Sequence, residues 1–299
     1  MVEKSSLIEL FMELVQIDSL SLQEREMADE LTSRLKQLGC EVKEDNTASK
    51  IEGNAGNIIG FLPGQKHLPS LLLSAHMDRV KPGTDIKPVI KDGYIISKED
   101  TILGADDVAG VTGILGALKR IKEENLVHGD IKIVFTVAEE LGLLGAKHLH
   151  FSHLEDIDYG IVYDAEGKIG NIVHKGPAKA KFNSVIKGKS SHAGINPGKG
   201  VNAIKISSLA LSTMNIGQID AETTANIGVI RGGVARNIVP DLVELEGEAR
   251  SLDRDKLDKQ IQHMQSIIKN YVEKYKGEVD FDIKVLYEDF ALEKNSEVI

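Results

Sequence analysis

Three short apolar runs, each ending abruptly in side chains that can ligate metal, constrain this chain more than any other feature. Leu71-Leu72-Leu73-Ser74-Ala75 runs into His76 and Asp78, Ile131 to Ala138 runs into Glu139-Glu140, and Gly160-Ile161-Val162-Tyr163 runs into Asp164. The first run is too short for an independent helix and too continuously apolar for a strand with one wet face, so it suits the interior of a parallel sheet. In open α/β sheets, ligand sites form just beyond the carboxyl ends of the strands, which is where His76 and Asp78 would lie. A metal-bound imidazole usually donates its second ring N–H to a carboxylate, and Asp78 is close enough in sequence to be that partner. Alone, a His-x-Asp reads as a capping Asp beside a surface His, and acidic pairs such as Asp106-Asp107 and Glu139-Glu140 can simply favour helix N-termini. Three such endings at one sheet edge beside a histidine are not coincidence. Leu103-Gly104-Ala105-Asp106-Asp107 leads into a helical stretch in which Gly110, Gly113 and Gly116 recur every third residue, a spacing that lets a helix lie close to a sheet.

The rest of the composition narrows the setting. With 36 basic against 46 acidic residues the net charge is −10, which disfavours nucleic acid and anionic membrane as partners. The 299 residues suffice for about two domains of ordinary size. A single cysteine, Cys40, excludes a disulfide framework within the chain and fits a reducing compartment. No apolar stretch approaches membrane-spanning length, and acids interrupt the first twenty residues where a signal-peptide core would lie, so cytoplasmic residence is the expectation.

In chain order, Leu7, Leu10, Phe11 and Leu14 mark one amphipathic helix, and Met27, Leu31, Leu35 and Leu38 a second, closed by Gly39. Residues 40–64 read as a strand, a polar loop and a strand ending at Pro63-Gly64. The strands carrying the acids follow, interleaved with helices, which argues for a doubly wound α/β domain over residues 1–174. From there the pattern becomes strand, helix, two strands, helix, strand. Val243, Leu245, Gly247 and Ala249 alternate with charged residues, Leu257, Ile261, Met264 and Ile268 follow helical spacing, and Val279, Phe281, Ile283 and Val285 alternate again. A ferredoxin-like α+β second domain over 175–289 is the natural fold, with 290–299 beginning a return to the first. His148, His150 and His153 do not share a helical face and read as structural.

Taken together, His76-Met77-Asp78, Gly104-Ala105-Asp106-Asp107, Glu139-Glu140 and Asp164 resemble the co-catalytic dizinc exopeptidase and deacylase superfamily that includes peptidase T, carboxypeptidase G and the aminoacylases. The chain is most similar to the peptidase T-like branch. Ser191-His192-Ala193-Gly194 with Pro197, Asn202-Ala203, Gly232-Gly233, Asn237-Ile238-Val239-Pro240-Asp241 and Arg250 resemble that family's lid and dimerisation domain.

The resemblance implies two zinc ions, with manganese or cobalt as alternatives. It implies that His76 and Glu140 bind one metal and Asp164 the other, and that Asp106 bridges them, followed by a strained peptide bond to Asp107. Glu139 would be the general base, and Asp78 would orient His76. His192 would stabilise the oxyanion across a homodimer interface, while Asn226 and Arg250 would grip the substrate. The activity implied is hydrolysis of short peptides, tripeptides first. Removal of an N-acyl group from an amino acid, or a silent dimerising or peptide-binding role, are the alternatives. Adjacent glutamates can divide ligand and base duties if successive side chains at a strand end point apart. One departure stands out. The family completes its second metal site with a histidine near the chain's end, whereas here only His263, inside the second domain's long helix, follows His192. The chain is therefore expected to be truncated at Ile299 and its second site incomplete.

Overall fold

Apolar residues at helical spacing build the first two elements. In the computed structural model, which describes residues 4–299, α1 (Lys4–Leu14) buries Phe11 and Leu14, and α2 (Arg25–Gln37) buries Met27, Leu31 and Leu35. Gly39 follows at φ 96°, a left-handed turn that suits a residue without Cβ. The chain then passes through β1 (Glu41–Glu44), a helical turn α3 (Ala48–Ile51) where sequence suggests only a polar loop, and β2 (Ile58–Leu62). Next come β3 (Leu71–His76), the hairpin β4 (Pro88–Lys91) and β5 (Tyr94–Ser97), and α4 (Ala105–Glu124). β6 (Ile131–Thr136), α5 (Leu144–His148) and β7 (Tyr159–Val162) complete the first of two units, which ends at Asn171.

The sheet of this unit has the order β1-β2-β6-β3-β7. β3 pairs in parallel with both β6 and β7, which gives the first apolar run its interior place, whereas β1 and β2 are antiparallel and make the sheet mixed. β7 is an edge strand with Val162 exposed, so the third run is apolar without being buried. α4 packs on β3 and against α1. Its glycines do not act as a set. A Cβ on Gly110 would lie 2.7 Å from the Tyr163 carbonyl oxygen, at the sheet, and one on Gly116 would strike Leu7 of α1, while one on Gly113 would meet nothing within 4 Å. Helical spacing distributes residues three apart around a broad arc, so a single stripe of contact does not follow from it.

The second unit, from Ile172, contains β8 (Lys175–Gly176), β9 (Ala178–Lys187), β10 (Ser191–His192), α6 (Ala203–Thr213), β11 (Gly217–Gln218) and β12 (Thr223–Gly232). β13 (Ile238–Val239), β14 (Leu242–Ser251), α7 (Arg254–Lys274), β15 (Glu278–Tyr287) and β16 (Phe290–Ala291) follow. Its main sheet is antiparallel in the order β11-β12-β14-β9-β15, the split β-α-β arrangement of a ferredoxin-like fold. Alternation along β14 buries Val243, Leu245 and Ala249 against Leu257, Met264 and Ile268 of α7, and Phe182 completes this core. Asp253 caps α7 by accepting the Lys256 N–H. β12 pairs with β14 along its length but with β11 only at Thr224 and Ala225, leaving its outer edge from Asn226 to Gly232 without a partner among the described residues.

Candidate metal centre

Parallel register sets the site, because it ends neighbouring strands level with one another. His76, the last residue of β3, lies opposite Thr136, the last of β6, and the Tyr163 N–H donates to the Ser74 carbonyl, bringing Asp164 alongside. The loop entering α4 contributes Asp106 and Asp107, whose φ/ψ values of −86°/108° and −115°/32° delay the regular helix until Val108. The peptide bond between them is cis. Ligand atoms of His76, Asp106 and Glu140 lie within 4.8 Å of one another, as do those of His76, Glu139 and Asp164.

The imidazole's tautomer follows from its partners. His76 Nδ1 lies 3.0 Å from the Asp78 carbonyl oxygen, which can only accept, so Nδ1 carries a proton. Nε2 faces Asp106 Oδ1, 3.0 Å away, and donates to it in the doubly protonated ring, whereas the neutral ring leaves the Nε2 lone pair to ligate a cation. The Asp78 carboxylate stands a little farther from the ring, with Oδ1 at 3.3 Å from Nδ1, and does more than orient it. Oδ1 accepts the Glu139 N–H at 2.8 Å, and Oδ2 accepts the Glu140 N–H at 3.3 Å and the Ser21 hydroxyl at 2.7 Å. Asp107, also buried, accepts the His76 and Gly110 N–H groups through its two oxygens.

Electrostatics shows what such a cluster favours. Burial would lower the His76 pKa, but Asp78 and Asp106 outweigh it and push it up to about 10. Burial raises Asp107 to about 7. Burial, aided by the charges of Asp164, Glu140 and Asp78 and opposed by His76, also raises Glu139 to about 7. Burial and mutual repulsion thus make negative charge costly at Asp107 and Glu139, which favours a cation among these carboxylates. The donor set of one nitrogen and several carboxylate oxygens fits divalent zinc or manganese, which would relieve that repulsion.

Glu139 and Glu140 do not diverge as alternating residues of a strand. β6 ends at Thr136, and both glutamates lie in a turn beyond it, after Ala138 at φ 48°. The turn sends one toward each donor group. Two supporting residues escape sequence reasoning, Ser21 and Glu24. Their S-x-x-E spacing reads as a helix capping box. Instead, the Ser21 hydroxyl bonds Asp78, and the buried Glu24 carboxylate accepts the Ala138 N–H at 3.0 Å and the Leu22 N–H at 2.9 Å.

The remaining expected site residues belong to the second unit. His192 is exposed in β10, with Nδ1 accepting the Gly194 N–H at 3.1 Å. Asn226 is exposed on β12, and Arg250 on β14 pairs with Glu248, which also meets Lys179. His263 lies in α7 and its Nε2 accepts the Asn215 N–H at 3.0 Å. His153 is beside Lys43 and His150 beside Ser152, and neither joins a metal-competent group among the described residues.

Comparison with known proteins adds to this geometry. The peptidase family M28 model matches residues 57–203, and the peptidase dimerisation domain model matches residues 172–276. Over its full length the chain is 43% identical to the uncharacterized protein YqjE of Bacillus subtilis strain 168, of which it covers 80%. Among solved structures, aminopeptidase PepT from Bacillus cereus ATCC 10987 matches 99% of this chain and 79% of its own at 43% identity, with a TM-score of 0.93. A tripeptidase from Staphylococcus aureus subsp. aureus Mu50 matches 100% and 80%, at 40% identity and a TM-score of 0.97.

Proposed function

The chain belongs to the peptidase T-like branch of the dizinc exopeptidase and deacylase superfamily, and from that membership we propose that it is an aminopeptidase acting on tripeptides. The observation that carries this reading is the pair of donor groups converging on His76 at the carboxyl edge of the sheet. His76 and Glu140 are assigned to one metal and Asp164 to the other. Asp106 would be shared between them, a role supported by its exposed carboxylate, its 3.0 Å approach to His76 and its position beside Asp164. Two zinc ions bound there would polarise the scissile carbonyl and make water reactive near neutral pH. Glu139 takes the proton of the attacking water and returns it to the leaving amine. Asp78 keeps Glu139 and His76 in register through the bonds described above.

In the same reading, residues 1–174 form the catalytic domain and 175–289 the lid, and the protein works as a cytoplasmic homodimer. The outer edge of β12, without a partner among the described residues, supports self-association. His192 then serves the partner's site, and Asn226 and Arg250 hold the peptide. No described helix is long and apolar enough to cross a membrane.

Plasma mass spectrometry of the purified chain, run beside a panel of free tripeptides and of N-acetyl and N-succinyl amino acids, tests the proposal. Bound zinc is expected, with His76, Asp106 and Glu140 as its first holders, and turnover should fall on the tripeptides and not on the acylated amino acids. Zinc with cleavage of only the acylated amino acids would move the chain to the deacylases, and absence of both metal and turnover would defeat the assignment. A monomer by light scattering at micromolar concentration would remove the trans role of His192.

A further inference from the structure

We propose that Glu24 is a positioning residue that holds the Ala138-Glu139-Glu140 turn in its working shape. The inference rests on the assignment of Glu139 and Glu140 to the metal centre, but its core is geometric. Glu24 is fully buried at the N-terminus of α2, where an N-cap side chain would ordinarily accept an N–H of its own helix. It makes no such bond. Oε1 instead accepts the Leu22 and Ala138 N–H groups, the latter 114 residues away in sequence, and Oε2 has no hydrogen-bond partner among the described residues. Burying a carboxyl group with one oxygen unmatched is unfavourable, and nothing in α2 requires it.

The turn it reaches does require a fixed partner. Ala138 is buried and sits at φ 48°, a region that residues with a Cβ adopt only where the surroundings over-determine it. Three successive amides leave this turn, and each ends on a buried carboxylate oxygen: Ala138 on Glu24, Glu139 and Glu140 on Asp78. On the carbonyl side, Ala138 accepts the Leu144 N–H, and Glu139 accepts those of Gly142 and Leu143.

One segment carries both carboxylate anchors. The Ser19 hydroxyl donates to the Met77 carbonyl, the Ser19 carbonyl accepts the Arg79 N–H at 2.9 Å, and the Ser21 hydroxyl donates to Asp78. Residues 19–24 thus clamp the end of β3 and, through Glu24, the turn after β6. Loss of the Glu24 acceptor frees the first amide of the turn, so Glu139 and Glu140 drift while the sheet remains.

The test compares the full chain with Glu24→Met, which removes the acceptor at similar volume, and Glu24→Gln, which keeps an oxygen for Ala138. Hydrogen–deuterium exchange of peptides spanning 137–143 is read with zinc affinity by chelator competition and with tripeptide kcat and KM. In Glu24→Met, exchange at 137–143 should rise ~10-fold or more while β3 and β6 stay protected. Zinc affinity should fall by ~10-fold and kcat by ~10–100-fold, with KM within ~2-fold. Glu24→Gln should return each quantity to within ~3-fold of the parent. Should Glu24→Met not fold, Glu24→Asp, whose shorter arm withdraws the carboxylate from Ala138, should give the same pattern. Parent-like exchange and zinc affinity in a folded Met or Asp variant would overturn the proposal, and so would a Gln variant as impaired as Met. A parent chain with neither zinc nor turnover would instead defeat the proposed activity, and exchange alone would then judge Glu24.

Discussion

Asp78 Oδ1 accepts the backbone N–H of Glu139 at 2.8 Å, tying the end of β3 to the turn that follows β6. The same carboxylate lies 3.3 Å from His76 Nδ1 and accepts the Glu140 N–H and the Ser21 hydroxyl. One buried side chain therefore sets the positions of an imidazole and of two glutamates that arrive from another strand.

Replacing Asp78 by Ala leaves two amides, a hydroxyl and a ring beside a void in a buried place. The expected loss is about 2–4 kcal/mol of unfolding free energy by denaturant titration, since each unmatched donor keeps its desolvation cost. Zinc affinity should drop by ~10–100-fold. A variant with parental stability and parental metal binding would show that these bonds are dispensable.

Glu139→Gln separates base from ligand. If Glu139 handles the proton and Glu140 the metal, the variant should retain parental zinc by plasma mass spectrometry while kcat falls by ~10² or more. Loss of metal on this substitution would exchange the two roles, an outcome the grouping of Glu139 with His76 and Asp164 makes worth measuring.

Two glycines of the α4 region should respond in opposite directions. Gly104 has φ 71°, and a Cβ there would sit 3.2 Å from the buried Arg79 guanidinium, so Gly104→Ala should cost about 1–2 kcal/mol. Gly113 is exposed within the helix with nothing within 4 Å of a built Cβ. Gly113→Ala should therefore stabilise by about 0.5–1 kcal/mol through helix propensity. Thermal unfolding of both variants checks the contrast, and equal shifts would contradict it.

Glu24 should leave a signature in the pH dependence of stability. Burial, outweighing its backbone hydrogen bonds, raises its pKa from 4.5 to about 6. Between those values the folded chain keeps a proton that the unfolded chain has released. This group's contribution therefore favours folding at lower pH and is lost as pH rises through the window, by on the order of 1–2 kcal/mol. Glu24→Gln has no such proton. Urea unfolding of parent and variant, both free of metal, should show the parent gaining on the variant by that amount between pH 7 and pH 4. A gap that does not change with pH would place the Glu24 pKa near its ordinary value.

The amino-acid sequence by itself determined the main strands and helices and the ligand-type side chains at the strand ends. Apolar runs and helical spacing are local properties, and they led directly to β3, β6, α2, α7 and the alternating β14. The endings at His76, Asp106, Glu139-Glu140 and Asp164 were legible because metal chemistry restricts residue type. Only the tertiary structure decided how those residues divide. That Glu139 and Glu140 part at a left-handed Ala138 and not by strand alternation depends on backbone angles that no residue type specifies. That Ser21 and Glu24, which look like a helix cap, instead brace two strand ends depends on contacts 57 and 114 residues apart. Hydrogen bonds of that range exist only once the sheet has brought distant segments together, because the energy that selects them comes from burial and not from neighbours along the chain.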